Sequence, residues 1–131
     1  MASVEAYPED LKYHPEHDWA RIEGDEATLG ITWFAQDALG ELVHYDPPAV
    51  GSTVTKDESY GEVESVKAVS DVVAPLSGEV LEVNQKAVDE PEVVNEDPYG
   101  EGWLVKIRMA DTGELDALMD AEAYRAHVAA Q

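Results

Sequence analysis

The sequence predicts a mostly β domain of about eight short strands with little helix. Three observations support this prediction. The stretch from Tyr60 to Val80 is dominated by Val, Tyr and Ser, which suit a half-buried sheet. In residues 103–109, alternation places four apolar side chains on one face of a strand, Trp103, Val105, Ile107 and Met109, and Leu104, Lys106 and Arg108 on the other. Two β-like segments flank Gly24-Asp25, a strong hairpin signal.

The central stretch must reverse direction near Lys67. Between Glu58 and Ala74 there is one Gly, at Gly61, and no Pro or Asn, yet one strand of this length would exceed the usual limit of roughly 10 residues. Alternation breaks at residues 66–69, which places a hairpin there. These are poor turn residues, since Asn-Gly or Asp-Gly is preferred, and such local violations concentrate at functional sites. From the residues alone, Lys67 is a solvated lysine on a hairpin.

The N-terminal half contains the lead-in, a hairpin, a short helix and two strands. Residues 1–10 are predicted to be a loosely ordered lead-in, and residues 19–23 and 27–31 form the hairpin. Thr32 can cap a helix that Gly40 ends. Strands follow at residues 41–45 and 50–54. Four residues are predicted to share the apolar face of the helix: Phe34, Ala35, Ala38 and Leu39.

The C-terminal half is predicted to contain one more strand and several helical turns. A strand continues to Val83, one helical turn covers residues 84–89, and residues 91–102 form a loop rich in turn residues. After the strand at 103–109, Asp111 and Glu114 resemble a capping box that opens a helix. Asp120 can cap a final C-terminal helix.

Charge and cysteine content exclude several functions. Twenty-nine Asp and Glu face eight Lys and Arg, for a net charge of −21. This charge disfavours nucleic acids and anionic membranes, which need a basic surface, and favours docking to basic patches on partners. A salt-adapted source is an alternative explanation for it. There are no cysteines, so any thiol chemistry must come from a cofactor.

The chain is expected to be one cytoplasmic, monomeric domain covering residues 1–131. Its length suits a single core, and no linker divides it. The acidic N-terminus matches neither a signal peptide nor a transit peptide, and no apolar run could span a bilayer.

No metal site or independent active site is predicted. His14, Glu16, His17 and Asp18 lie in a short turn around Pro15, without a further ligand cluster. Ser, His and Asp occur, but nothing orders them into a nucleophilic site, so the chain is expected not to be an enzyme.

Four separated motifs resemble the H proteins of the glycine cleavage system. The first is Glu64 to Ala68, followed by Ser70-Asp71 and by Ala74 to Val80. The others are Tyr13 with His17-Asp18-Trp19, the segment from Val94 to Trp103, and Asp120 to Tyr124. The helical segment at 30–40 is also similar, except that Trp33 replaces an acid. The resemblance runs from about residue 11 to residue 127.

The resemblance implies a fold and a set of site residues. The fold is a barrel-sandwich hybrid of two small antiparallel sheets, with short peripheral helices. Lys67 carries lipoic acid through an amide bond, and Glu64, Ser65 and Asp71 help the lipoate-attaching enzyme to recognise the hairpin. Asp18 and Asp71 contact the aminated arm. Asp18 is one methylene shorter than the glutamate usual in the family.

The resemblance also implies a function and partners. Lipoate on Lys67 takes the aminomethyl group of decarboxylated glycine from the P-protein to the T-protein, and the L-protein reoxidises it. Three alternatives stay open: relay of lipoyl or octanoyl groups to other enzymes, a biotin carrier, and an unmodified acidic adaptor. The biotin alternative is disfavoured because Val66 and Ala68, rather than methionines, flank Lys67.

Overall fold

The computed structural model describes residues 7–131. Residues 1–6 of the predicted lead-in therefore lie outside the described residues. Within the rest of that segment, Tyr7 is buried, and its ring meets those of Tyr13 and Tyr124 edge-on. The chain is thus already packed at Tyr7.

Nine strands form two antiparallel sheets within the described residues, which confirms the predicted two-sheet architecture. The larger sheet has the order β1-β2-β3-β9-β8-β5, and the smaller has the order β4-β6-β7. The strands are β1 (Lys12–His14), β2 (Asp18–Glu23), β3 (Glu26–Ile31), β4 (Leu42–Asp46), β5 (Thr53–Val54), β6 (Ser59–Ser65), β7 (Val69–Val73), β8 (Gly78–Val83) and β9 (Val105–Met109).

One apolar core joins the two sheets. Leu29 and Ile107 from the larger sheet and Val63 and Val72 from the smaller one belong to the same buried cluster. Tyr45 of β4 also donates a hydrogen bond to the Leu104 carbonyl, at 3.3 Å. Burial of these apolar faces against each other is the main force that holds the sheets together.

The helix α1 (Trp33–Leu39) begins and ends as predicted. The Thr32 side chain accepts a hydrogen bond from the Ala35 N–H, and Gly40 follows the helix with a φ of 85°. The predicted apolar face was wrong at Ala38, which is exposed, whereas Gln36 is buried. Gln36 can be buried because its amide is hydrogen-bonded within the fold.

Two predictions for intermediate segments need correction. The predicted loop at 91–102 contains the helix α3 (Glu92–Glu96), which Pro91 precedes with a φ of −55° that already suits a helix. The strand predicted to begin at Val50 begins at Thr53, because Gly51 turns the chain at a φ of 91°. The helical turn predicted after Val83 is confirmed as α2 (Gln85–Asp89), with Asn84 as its cap.

The capping box predicted at Asp111 and Glu114 is wrong. Asp111 does accept a hydrogen bond from the Gly113 N–H, but the segment is a 3-10 helix (Thr112–Ala117). Glu114 does not reach back to Asp111; instead its carboxylate accepts from the N–H and the hydroxyl of Ser77, at 2.8 and 2.9 Å. The final helix, α4 (Ala121–Ala129), is capped by Asp120 as predicted.

Candidate functional site

Lys67 lies in the turn that joins β6 to β7, where the sequence predicted a reversal. The Ser65 hydroxyl builds this turn: it accepts hydrogen bonds from the N–H groups of Lys67 and Ala68, at 3.2 and 3.1 Å. The Ser65 N–H donates to the Ala68 carbonyl, at 2.8 Å. A buried side chain therefore supplies the turn chemistry that the residues at the tip lack.

The side chain of Lys67 is exposed but runs along the end of α1. A Cβ atom placed on Gly40 would lie 3.5 Å from Cε and 3.9 Å from Nζ of Lys67. The lysine stem thus lies beside Gly40, on the side where a larger residue would carry its side chain. Within residues 7–131, the Lys67 ammonium makes no ion pair or hydrogen bond, so its nitrogen stays accessible.

The surface around Lys67 combines valines with carboxylates. Val66 and Val69 beside it are 79% and 60% exposed, and Val43 on β4 is 50% exposed. Strand pairing places Glu64 between His44 and Val69 on the outer face of the smaller sheet. One row further from the tip, a second set of residues on the same face is entirely acidic: Asp46, Glu62 and Asp71.

Three of the predicted site residues are therefore brought together with Lys67. Ser65 is buried in the turn, and Glu64 precedes it with an exposed side chain. Asp71 is also exposed and lies on the same face as Glu64. Val69 pairs with Glu64, and Asp71 follows Val69 by two residues on β7. The Ser59 hydroxyl is within 3.3 Å of the Asp71 carboxylate.

The fourth predicted site residue, Asp18, lies apart from the tip of the hairpin, beside the far end of β7. It begins β2, is only 2% exposed, and its Oδ2 atom has no hydrogen-bond partner. Burial, aided by the Glu16 carboxylate, raises the pKa of Asp18 well above its usual value, and the backbone N–H of Val73 opposes that rise. Val73 ends β7, roughly 13 Å along the strand from Val69 by the usual rise per residue.

The turn residue His17 has a structural role next to Asp18. Its Nδ1 lies 2.7 Å from the Tyr124 hydroxyl, which is also 2.8 Å from the hydroxyl of Thr32. Burial lowers the pKa of His17. These contacts tie α4 to the start of α1. Among the described residues, no group of three or more His, Asp or Glu side chains is placed to hold a metal ion.

The chain is similar to known proteins over almost its whole length. The family model for glycine cleavage H-protein matches residues 11–131. The chain belongs to the glycine cleavage H-protein family. Two glycine cleavage system H proteins illustrate the similarity: that of Marinobacter nauticus is 55% identical, covering 95% of this chain and 96% of the relative, and that of Symbiobacterium thermophilum is 53% identical, covering 96% of both.

A solved structure of the H-protein family agrees with this assignment. The crystal structure of a glycine cleavage system H protein from Mycobacterium marinum has a TM-score of 0.86 and 44% identity, covering 93% of this chain and 98% of the other. The family is a lipoyl carrier component of the glycine cleavage system rather than a catalytic enzyme, and it works with the partner enzymes of that system. In residues 7–131, every helix is too short or too polar to cross a membrane.

Two residues of this H-protein family member were not identified as part of the site from the sequence. Gly40 was predicted only to end a helix, and Asn95 only to lie in a loop. The structure places Gly40 against Lys67, and Asn95 hydrogen-bonds the Gly40 carbonyl at 2.9 Å. Their role depends on contacts between residues distant in sequence, and the one local signal was that Asn95 lies within a family motif.

Proposed function

We propose that lipoic acid is attached to Nζ of Lys67 through an amide bond, in a single carrier domain formed by residues 1–131. The observation that carries this proposal is the exposed hairpin lysine, whose stem lies beside Gly40 and whose ammonium makes no ion pair or hydrogen bond in the described part of the chain. A lipoate-attaching enzyme supplies lipoate with an activated carboxyl group. The Lys67 ammonium first loses a proton; the neutral Nζ then attacks the carboxyl carbon, the bond from that carbon to the activating group breaks, and Nζ loses a second proton as the amide forms. The attached dithiolane supplies sulfur chemistry that a chain without cysteine cannot.

The residues around Lys67 have separate roles in this proposal. Ser65 fixes the turn so that Nζ projects from the tip. Glu64 and Asp71 present negative charge on one face, which suits a basic surface on the lipoate-attaching enzyme. Because the two acids and the lysine are exposed, an approaching enzyme meets them together.

Asp18 and Asp71 are the proposed contacts for the aminated arm. Asp71 is exposed on β7, whereas Asp18 is buried near the end of that strand. Burial favours the neutral form of Asp18, and a cationic amine brought beside it would favour the ionised form. The arm would reach Asp71 first, since Asp71 lies nearer to Lys67 along β7.

The proposed partners are the P-, T- and L-proteins of glycine cleavage, acting on a monomeric carrier in the cytoplasm. The chain moves the aminomethyl group of decarboxylated glycine from the P-protein to the T-protein, and the L-protein restores the oxidised arm. The large negative charge supports docking to basic surfaces on these enzymes. Tethering the arm to Lys67 raises its effective concentration at each partner site.

Reconstitution tests this proposal. The lipoylated chain is mixed with P-, T- and L-proteins, tetrahydrofolate, an electron acceptor and glycine, and released ammonia is measured. We expect ammonia release with the wild type and none with Lys67→Arg. A chain that is loaded at Lys67 but releases no ammonia, yet passes its lipoyl group to another acceptor protein, would contradict the glycine cleavage role and favour the relay alternative.

A further inference from the structure

The corner between α1 and β4 lies directly under the lysine, and one side chain holds it. Asn95, on α3, bonds to both ends of this corner. Its Oδ1 accepts from the Leu42 N–H at 2.9 Å, and its Nδ2 donates to the Gly40 carbonyl at 2.9 Å. A third bond joins Nδ2 to Oε1 of Gln36, at 3.0 Å.

Only a primary amide satisfies all three of these partners. Asn95 must accept one hydrogen bond on its oxygen and donate two from its nitrogen. A carboxylate could accept from Leu42, but it would face the oxygens of Gly40 and Gln36 without a proton to donate. Gln36 cannot easily turn away, because it is 7% exposed and its own Nε2 already donates to the Trp33 carbonyl.

Both ends of the corner reach the lysine hairpin. At one end, Gly40 lies beside the Lys67 stem. At the other, Leu42 pairs with Ser65, whose hydroxyl builds the turn. A shift of the corner would therefore move two things at once: Gly40 beside the Lys67 side chain, and Leu42, which pairs with the strand that carries the turn.

We propose that Asn95 is a positioning residue that sets how Lys67 is presented to the enzyme that acylates it. It acts through Gly40 and Leu42 and touches neither the lysine nor its substrate. This inference deepens the proposed function, on which it rests for its principal readout. Asn95 holds the corner in one conformation, so that Nζ enters an acylating enzyme with a defined direction.

The test compares two nearly isosteric Asn→Asp variants in loading by a lipoate ligase. Asn95→Asp should lower kcat for acylation of Lys67 roughly tenfold, with KM within about twofold, because docking residues remain while orientation is lost. Asn84→Asp is the matched control. Asn84 also accepts one hydrogen bond, from the Lys86 N–H, and donates two, to the carbonyls of Glu101 and Trp103, and none of these partners belongs to the corner or the hairpin.

Both variants should lose similar stability, which separates positioning from general destabilisation. An unchanged kcat in Asn95→Asp, or equal losses of kcat in both variants at matched fractions folded, would overturn the proposal. A loss confined to Asn95→Asp supports it.

A second readout does not depend on the proposed function. Brief treatment with N-hydroxysuccinimidyl acetate acetylates accessible lysines, and mass spectrometry gives the ratio of modified Lys67 to modified Lys86. Asn95→Asp should change this ratio relative to the wild type, because the corner that lies beside the Lys67 stem is no longer held in place. If the ligase does not load the wild type, the proposed function fails, and this ratio alone decides: a changed ratio supports the positioning role, and an unchanged ratio overturns it.

Discussion

The hairpins β2–β3 and β6–β7 make their turns by different means. Between β2 and β3, Glu23 pairs with Glu26 across a two-residue turn in which Gly24 adopts a φ of 64°. That turn is specified by local backbone preference. Between β6 and β7, the tip residues have no such preference, and the Ser65 hydroxyl and the Asn95-held corner specify the geometry instead.

The surroundings of the two hairpins differ in the same way. The first is built into the core, where the Trp19 side chain lies over Gly30, its partner on the opposite strand. The second ends in exposed side chains, among them Val66 and Val69. A hairpin can therefore lack favourable turn residues at its tip and still present a lysine there, provided that contacts outside the tip hold its shape.

The largest expected effect is on loading of the second hairpin. Lys67→Arg should abolish lipoylation and leave the unfolding midpoint unchanged, because the ammonium makes no ion pair in the described part of the chain. Lys56→Arg is the control, since that lysine is paired with Asp57 and should not accept lipoate. Intact mass and thermal unfolding measure the two effects. Unfolding of Lys67→Arg would show that the lysine is structural.

A smaller but substantial effect is expected in the core hairpin. In Gly30→Ala, the new Cβ would lie 2.6 Å from ring atoms of Trp19, which is fully buried. Overpacking of this kind costs about 1–3 kcal/mol of unfolding free energy. Urea unfolding measures this loss. Loading of the folded variant should stay at the wild-type rate, and an unchanged urea midpoint would contradict the described packing.

Ser65→Ala and Gly24→Ala each remove the feature that specifies one of the two turns. Ser65→Ala leaves two N–H groups without their acceptor and should cost about 1 kcal/mol. Gly24→Ala places a side chain at a φ of 64° and should cost a similar amount, about 1–2 kcal/mol. Only Ser65→Ala should also slow loading of Lys67. Equal loading rates in the two variants would contradict the role assigned to Ser65.

The smallest expected effect is the pH dependence contributed by Asp18. Its folded-state pKa lies above its usual value of 3.8, so the folded state holds the proton more tightly and stability falls as pH rises above that value. The Tm of the wild type should therefore fall more than the Tm of Asp18→Asn between about pH 4 and about pH 8, and the two falls should differ by a few degrees. Asp25→Asn, an exposed carboxylate of the same hairpin, is the control. Parallel profiles for Asp18→Asn and the wild type would contradict a buried, neutral Asp18.

Much of the fold was predictable because its signals are local. The Gly24-Asp25 turn, the caps at Thr32 and Asp120, and the break in alternation at Lys67 each lie within a few residues. Errors occurred where distant residues compete. Glu114 accepts a hydrogen bond from Ser77 instead of completing a capping box. Asn95 donates a hydrogen bond to the side-chain oxygen of Gln36, which allows Gln36 to be buried.

The candidate site was predictable to a different extent. Lys67, Glu64, Ser65 and Asp71 are close in sequence, so the hairpin that brings them together follows from the pattern of strands. The position of Asp18 did not follow, because it depends on how β2 packs against the end of β7. The contacts around Gly40 bring together the end of α1, the β6–β7 turn with Lys67, and α3 with Asn95. No periodicity in the sequence reveals such contacts.

Attachment of a lipoyl group to Lys67 is tested by intact mass and a tryptic map of chain co-expressed with a competent lipoyl ligase and lipoate. Trypsin does not cleave after an acylated lysine. We therefore expect one peptide from Asp57 to Lys86 that carries a lipoyl or octanoyl increment on Lys67. Complete cleavage after Lys67, with no mass increment on the chain, would contradict the account and favour an unmodified adaptor, and a biotin increment would contradict the lipoyl assignment.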